Sequence, residues 1–137
     1  MKVYTEYLIF NTKSEKQIIN ITNDVEKIIE KSGIKDGMAL VSAMHITASI
    51  FVNDEEAGIK QDLLEWAEKI APKRPDYNHH QTGETNADAH LKSLLFNHEI
   101  IVPITNGRLD FGPWQQIFYG EWDGKRNKRI IVKIMGV

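Results

Sequence analysis

At 137 residues, 42% hydrophobic and 26% charged, the chain has the size and make-up of one soluble domain with a core of its own. A formal net charge of −2 argues against a general nucleic-acid binder, no apolar run nears the roughly 18 residues that span a bilayer, and the opening Met1-Lys2-Val3-Tyr4-Thr5-Glu6 lacks the apolar stretch of a secretory signal. With no cysteine there is neither a disulfide framework nor thiolate chemistry, so a metal would have to be held by His, Asp or Glu, and a cytoplasmic location is the expectation.

In chain order, Val3 to Phe10 is rich in β-branched and aromatic residues and reads as a strand. Gln17 to Ile21 reads as a second strand. Thr22 then reads as the N-cap of a helix over 23–31, with Val25, Ile28 and Ile29 on one face and Gly33 at the left-handed C-terminal position. Met38 to Met44 is a small apolar strand that delivers His45, and 46–52 continues extended with a kink around Thr47-Ala48. Asn53-Asp54-Glu55-Glu56 opens an amphipathic helix whose core stripe is Ile59, Leu63, Trp66, Ala67 and Ile70, ended by Pro72 and Pro75. A polar loop follows. Asn86 caps a short helix over Ala87 to Phe96 that carries His90 and is expected to bury Leu91, Leu94 and Leu95. The remainder reads as a strand over 99–104, an Asn106-Gly107 hairpin turn, a long strand over 114–122, a second hairpin turn at Asp123-Gly124 and a last strand over 128–135. The sum is a single α+β domain, mainly antiparallel, with two to three helices and about seven strands.

The polar span Asn78–His90 holds His79, His80 and His90, three of the five histidines, and His45 stands upstream in an apolar segment. Three neutral imidazoles converging on one point form an open tetrahedral site for zinc or a similar ion, with a fourth position left for water or substrate. Adjacent His79 and His80 point apart in an extended loop, so one of them is the candidate ligand and the spacing does not choose between them. The competing reading makes His45 a satisfied core histidine and the others loop residues; His98 reads as structural or exposed. Asp54 is a candidate general base or further ligand. Glu84 and Asp88 flank the candidate ligands and could orient an imidazole, although Asp88 also reads as a first-turn carboxylate favoured by the helix dipole. Gly107-Arg108, the turn Gly112-Pro113-Trp114-Gln115 and the hydroxyls of Thr47 and Ser49 offer donors to a phosphate, and Trp114 is either a stacking platform or a core aromatic. There is no Walker loop, dinucleotide fingerprint or nucleophile elbow.

Several of these stretches together resemble one family. They are His45-Ile46-Thr47-Ala48-Ser49 running on to Asn53-Asp54, Tyr77-Asn78-His79 followed by Asn86-Ala87-Asp88-Ala89-His90-Leu91, Val102-Pro103-Ile104 with Gly107-Arg108-Leu109, Gly112-Pro113-Trp114-Gln115-Gln116-Ile117, and the closing strand Arg129 to Gly136. The chain resembles, over nearly its whole length, the YjbQ-like family of small proteins often labelled secondary thiamine-phosphate synthase. The resemblance implies an α+β domain assembled as a homotrimer, with His45, His79 and His90 meeting around a metal; with imidazole donors the expected divalent ion is zinc first and magnesium second. It selects His79 over His80. Two positions depart from the family pattern: Ile46 stands where Thr is usual, removing a hydroxyl, and Asp54 stands where Glu is usual, shortening the reach by a methylene.

The residues and the resemblance together nominate Asp54, Asp88, Arg108 and Gln115 as catalytic, Thr47, Ser49, Asn53, Asn86, Gly107 and Trp114 as substrate-binding, and His45, His79 and His90 as metal ligands. The reaction that the resemblance implies is a transfer joining a pyrimidine-methyl diphosphate to a thiazole phosphate. The alternatives are a non-catalytic metal- or ligand-binding trimer and a metal-assisted hydrolase of a small phosphorylated or cyclic substrate. The expected partners are a second and third copy of the chain and a small, phosphorylated ligand, with no nucleic acid and no membrane.

Overall fold

The computed structural model describes residues 1–137. Eight strands and three α-helices follow one another as β1 (Lys2–Phe10), β2 (Gln17–Asn20), α1 (Thr22–Ser32), β3 (Gly37–Ala43), β4 (Ala48–Asn53), α2 (Ala57–Ile70), α3 (Ala87–Phe96), β5 (Glu99–Thr105), β6 (Arg108–Leu109), β7 (Gln116–Glu121) and β8 (Lys128–Gly136), with a 3-10 turn at Asn78–Thr82 before α3. The strands form two sheets, one in the order β1-β8-β3-β5-β6 and one in the order β2-β7-β4, and every pairing is antiparallel. This is the α+β, mainly antiparallel domain expected from the sequence.

Period-two alternation dictates the layering. On β8, Ile130, Val132 and Ile134 point inward, and from β3 and β5 so do Ala39, Val41, Val102 and Ile104. Against them pack Val25, Ile28 and Ile29 of α1 together with one face of the small sheet, Ala48, Ile50, Ile117 and Tyr119. The other face of the small sheet buries Phe51, Phe118 and the adjoining Trp122 against Ala67 of α2 and Ala89 and Phe96 of α3. The small sheet is therefore the middle layer, coated on both sides.

Four local expectations change. The kink expected near Thr47 is a full corner: the chain leaves the large sheet after Ala43 and enters the small one at Ala48, which places His45 on the crossing. Asp123-Gly124 is likewise a crossing, because β7 and β8 lie in different sheets and do not pair. Thr22 is the first residue of α1 rather than its cap; its hydroxyl accepts a hydrogen bond from the Ile117 N–H at 2.8 Å, which pins the helix to β7. The helix expected to open over Asn53–Glu56 starts at Ala57, with Asn53 still in β4, and Glu56 is the residue that caps it, its carboxylate accepting from the N–H groups of Gly58 and Ile59.

The helix faces differ most from expectation. In α2, Ala67 is buried, while Trp66 and Ile70 are about half exposed. In α3, Leu91, Leu94 and Leu95 face outward and the buried face is Asp88, Ala89, Lys92, Ser93 and Phe96. Small residues let α3 approach β4 closely, and ion pairing makes its two charges tolerable there. Asn106 and Gly107 both have positive φ, 53° and 78°, as the tight turn between β5 and β6 requires.

Candidate functional site

The corner between β3 and β4, the 3-10 turn and the first turn of α3 border an open polar cavity of about 260 Å³ lined by His45, Ile46, Thr47, His79, Glu84, Asn86, His90 and Arg126. The three candidate ligand histidines thus share one cavity although 45 residues separate the first from the last. His79 and His90 stand edge to face with ring centroids 4.7 Å apart.

His80 is spent elsewhere. Its Nδ1 donates to the Pro75 carbonyl at 2.9 Å and its Nε2 accepts from the Ala87 N–H at 3.2 Å, so the ring clamps the loop to the start of α3. That engagement of both nitrogens leaves His79 as the loop histidine available to the cavity.

His45 is held from behind. Its Nδ1 lies 2.9 Å from the Thr47 hydroxyl and 3.3 Å from the Thr47 backbone nitrogen. Thr47 Oγ1 also accepts from Lys128 Nζ at 2.8 Å, and Lys128 is ion-paired to Glu121; both charges are completely buried. Glu121 in turn accepts from the Tyr119 hydroxyl at 2.7 Å and from the Asp123 N–H at 3.2 Å. A chain of polar contacts thus runs from the space between the sheets to the cavity wall. Burial, then the positive charges of Lys128 and Arg126, lower the His45 pKa. Burial and repulsion from His79 lower that of His90. Burial also pulls the Lys128 ammonium down, against the opposing pull of Glu121. Both His45 and His90 are therefore biased to the neutral form, the form that ligates metal or accepts a proton.

Neutral imidazoles are suitable donors to a divalent ion, but at His45 the Thr47 N–H donates to Nδ1, which puts the neutral ring's proton on Nε2; use of Nε2 as a ligand would require that contact to give way to an Nδ1–H donated to the Thr47 hydroxyl. As the side chains stand, however, no group of three or more His, Cys, Asp or Glu is arranged to hold a metal. Coordination would require the rings to turn further toward one point. The wall also carries an unsatisfied acceptor: Asn86 Nδ2 donates to Asp123 at 3.0 Å, while its Oδ1 is buried without a partner.

Of the other residues nominated from sequence, the structure brings Thr47 and Asn86 to the cavity and leaves the rest elsewhere. Asp88 is on the opposite side of α3 from His90, two residues away, where its carboxylate meets Lys92 at 2.7 Å and Lys16 at 3.1 Å. Burial raises its pKa, the hydrogen bonds from Lys92 and Lys16 outweigh this, and the net shift is downward. Ser49 is fully buried, its hydroxyl donating to the Ser93 carbonyl at 2.8 Å and accepting from Trp122 Nε1 at 3.1 Å, so it supports the core and cannot meet a substrate. Asn53 and Asp54 stand at the far end of β4, roughly 16–20 Å along the strand from the His45 corner. Gly107 and Arg108 line a separate, wholly polar groove with Lys27, Lys35, Glu26 and Glu30. Gln115 accepts from the Gly112 N–H in an exposed turn, and Trp114 is 75% exposed on that turn, packed neither in the core nor at the cavity.

Sequence reasoning missed Lys128, Glu121 and Arg126. The first two had a signal: Lys128 falls in the inward register of Ile130, Val132 and Ile134, and Glu121 in that of Ile117 and Tyr119. A charge at a buried position of an alternating strand needs a partner, and each is the other's.

This fold has relatives. The profile of the family described as UPF0047 protein YjbQ-like matches residues 6–137, and the chain belongs to that family. A UPF0047 protein of Methanothermobacter thermautotrophicus is 38% identical over 136 residues, covering 99% of this chain and 94% of that protein. One of Archaeoglobus fulgidus is 39% identical over 128 residues, covering 93% and 98%. Among solved structures, a YbjQ-like protein of unknown function from Sulfolobus solfataricus superposes with a TM-score of 0.91 at 36% identity, covering 99% of both chains. A hypothetical protein from Aeropyrum pernix superposes with a TM-score of 0.92 at 27% identity, covering 98% and 99%.

Proposed function

We propose that the protein is a metal-dependent enzyme acting on a small, oxyanion-bearing substrate, with the cavity of His45, His79 and His90 as its active site. The observation that carries this reading is the convergence of three imidazoles on one cavity, two of them biased neutral by burial and nearby positive charge. A divalent ion held there by these residues, zinc first and magnesium second, would supply Lewis-acid polarisation of a substrate oxygen. The chain's own contributions are positional. Thr47, backed by Lys128, fixes the His45 ring. Arg126, anchored to Asp123 at 2.5 Å, places a guanidinium at the cavity for an oxyanion. The transfer named by the resemblance breaks the bond between the pyrimidine methyl carbon and the diphosphate oxygen, and forms one from that carbon to the thiazole nitrogen. Pyrophosphate leaves with the electron pair and needs a cation nearby. In this chain that cation is Arg126 and not Arg108.

The test is elemental analysis of untagged protein beside His90→Ala, followed by assay of the parent for pyrophosphate release from the pyrimidine diphosphate with and without thiazole phosphate. About one divalent ion per chain, lost in the variant, is expected of a three-histidine site. Metal with thiazole-independent release would move the assignment to a hydrolase. Metal without turnover would leave a binding module, and no metal in either protein would defeat the metal-dependent reading.

We also infer a homotrimer, the stoichiometry being what the family resemblance implies and the outer face of the large sheet the surface that would be covered. Val3, Met135, Met38 and Pro103 lie in one register row across the outer face of the large sheet, and Leu40 and Ile101 pair in the next. Val3 and Ile101 are 60% and 66% exposed, an apolar face of the kind a monomer rarely leaves to water. Light scattering after size exclusion should give three times the chain mass of 15.7 kDa, and Ile101→Lys should lower it.

A further inference from the structure

The polar contacts behind His45 fix more than the angle of its ring. Thr47 is completely buried and sends two donors to one atom: its backbone nitrogen and its hydroxyl lie 3.3 and 2.9 Å from His45 Nδ1. Neither donor has another acceptor. Residue 47 lies on the crossing between β3 and β4, outside both strands, so its N–H has no strand partner. Onto the hydroxyl oxygen Lys128 Nζ already donates at 2.8 Å. That ammonium has no side-chain exposure, and its other partners are Glu121 and, at 3.4 Å, the Thr47 carbonyl. An ammonium only donates, so the hydroxyl proton points away from it, and His45 Nδ1 is the acceptor within its reach. A proton on Nδ1 would set N–H against N–H and leave both donors of a buried threonine unpaired, each at the cost of an orphaned polar group.

Resting on the active site proposed above, we propose that Lys128 and Thr47 are positioning residues that set the tautomer of His45, and that His45 therefore serves as a hydrogen-bond donor to a substrate oxygen and not as a ligand of the ion. With Nδ1 taken by Thr47, the neutral ring keeps its proton on Nε2, the nitrogen without a protein partner in a ring that lines the cavity. A metal ligand needs a bare nitrogen, whereas a group that steadies charge developing on an oxygen needs an N–H. The cavity and its ion stand, and the imidazole ligands reduce to His79 and His90, whose ring centroids are 4.7 Å apart. Glu84, the one carboxylate among the lining residues, offers a third donor. Arg126 lines the same cavity, so a substrate oxygen there would meet one neutral and one charged donor of the chain. This also gives the buried Lys128–Glu121 pair a purpose. Such a pair adds little net stability over apolar residues of the same volume, but here its ammonium fixes the direction of a hydroxyl.

The test is proton–nitrogen NMR of the imidazoles in isotope-labelled, metal-free, full-length protein at about pH 8, above the ordinary histidine value, with His45 assigned by the loss of its signals in His45→Gln. His45 should show a protonated Nε2 and a bare Nδ1. Thr47→Val, which keeps the N–H and removes the hydroxyl, should raise the Nδ1–H form roughly tenfold, to at least about a tenth of the population, the change that one hydrogen bond sets. Thr47→Ser should restore the parent's ratio. Lys128→Met should act as Thr47→Val does; because it strands the Glu121 carboxylate and can unfold the protein, the two Thr47 variants carry the test without it. Zinc titrated by calorimetry should bind His45→Gln within about threefold of the parent and His90→Ala far more weakly. A proton on Nδ1 in the parent, a ratio untouched by Thr47→Val, or zinc binding lost in His45→Gln as in His90→Ala overturns the role given to His45 and leaves the metal site standing. No zinc bound by the parent defeats the metal-dependent reading, and the Thr47 variants still decide the tautomer.

Discussion

Asp88→Asn separates a structural role from a catalytic one. The carboxylate sits 2.7 Å from Lys92 Nζ and 3.1 Å from Lys16 Nζ, and Lys92, with 0% side-chain exposure, has the Ala71 carbonyl at 2.6 Å and Glu68 at 3.0 Å as its other partners. The amide keeps the volume and removes the charge. Lys92 then keeps one half-exposed carboxylate and one carbonyl, so the lost charge-assisted bond costs about 1.5–3 kcal/mol, and the half-open Lys16 contact adds up to about 1. A loss of about 2–4 kcal/mol is a large share of a typical 5–15 kcal/mol stability and lowers Tm by roughly 6–16 °C at this chain length. Urea unfolding at pH 7 reads it directly. The acid limb gives a second check. The folded Asp88 pKa lies below its ordinary value of 3.8, so its contribution is fully present above that value and is lost as pH falls through the folded pKa; parent and variant curves should converge in acid. Metal content and phosphate affinity should match the parent, because α3 turns Asp88 away from the cavity. A stability change under about 0.5 kcal/mol, the range of ordinary surface substitutions, would refute the reasoning, as would normal stability with lost ligand binding.

Glu121→Gln removes one member of a pair buried completely between the sheets and should cost about 3–5 kcal/mol in urea unfolding, with Lys128→Met comparable because it leaves the Glu121 carboxylate buried without its counter-charge. Ser49→Ala breaks the contacts with Trp122 and the Ser93 carbonyl and should cost about 1–3 kcal/mol without changing phosphate affinity, the reverse of what a substrate-binding serine would do. His45 and His90 both have pKa values below the ordinary 6.5, so the neutral folded forms add stability above that value that is lost as pH falls through the folded ones; metal-free protein should lose stability across this window, and His90→Ala should remove part of that slope.

The elements legible in the sequence are those with a local cause. The Asn106-Gly107 turn, the alternation of the last strand and the polar run leading to His90 each carry their signal within a few residues, and donor chemistry with the family motif points His45, His79 and His90 to one site. What was not legible depends on which face the rest of the molecule covers. Hydrophobic spacing marks Leu91, Leu94 and Leu95 as an apolar stripe, yet α3 packs through Ala89, Ser93 and Phe96, because a close helix–sheet contact favours small side chains and Lys92 brings its counter-charges with it. The same ambiguity misassigned Asp88, a carboxylate next to a candidate ligand in sequence but on the other side of the helix in space. The two sheet crossings were hidden for a related reason: a corner and a hairpin turn use the same residues, and only the pairing partners of β7 and β8 distinguish them. It is this crossing geometry that makes the cavity, since a chain passing from one sheet to the other at residues 44–47 places His45 against α3, and the second crossing after Glu121 brings Asp123 and Arg126 to the same wall. A fold with β3 and β4 in one continuous strand would keep every motif residue and have no site.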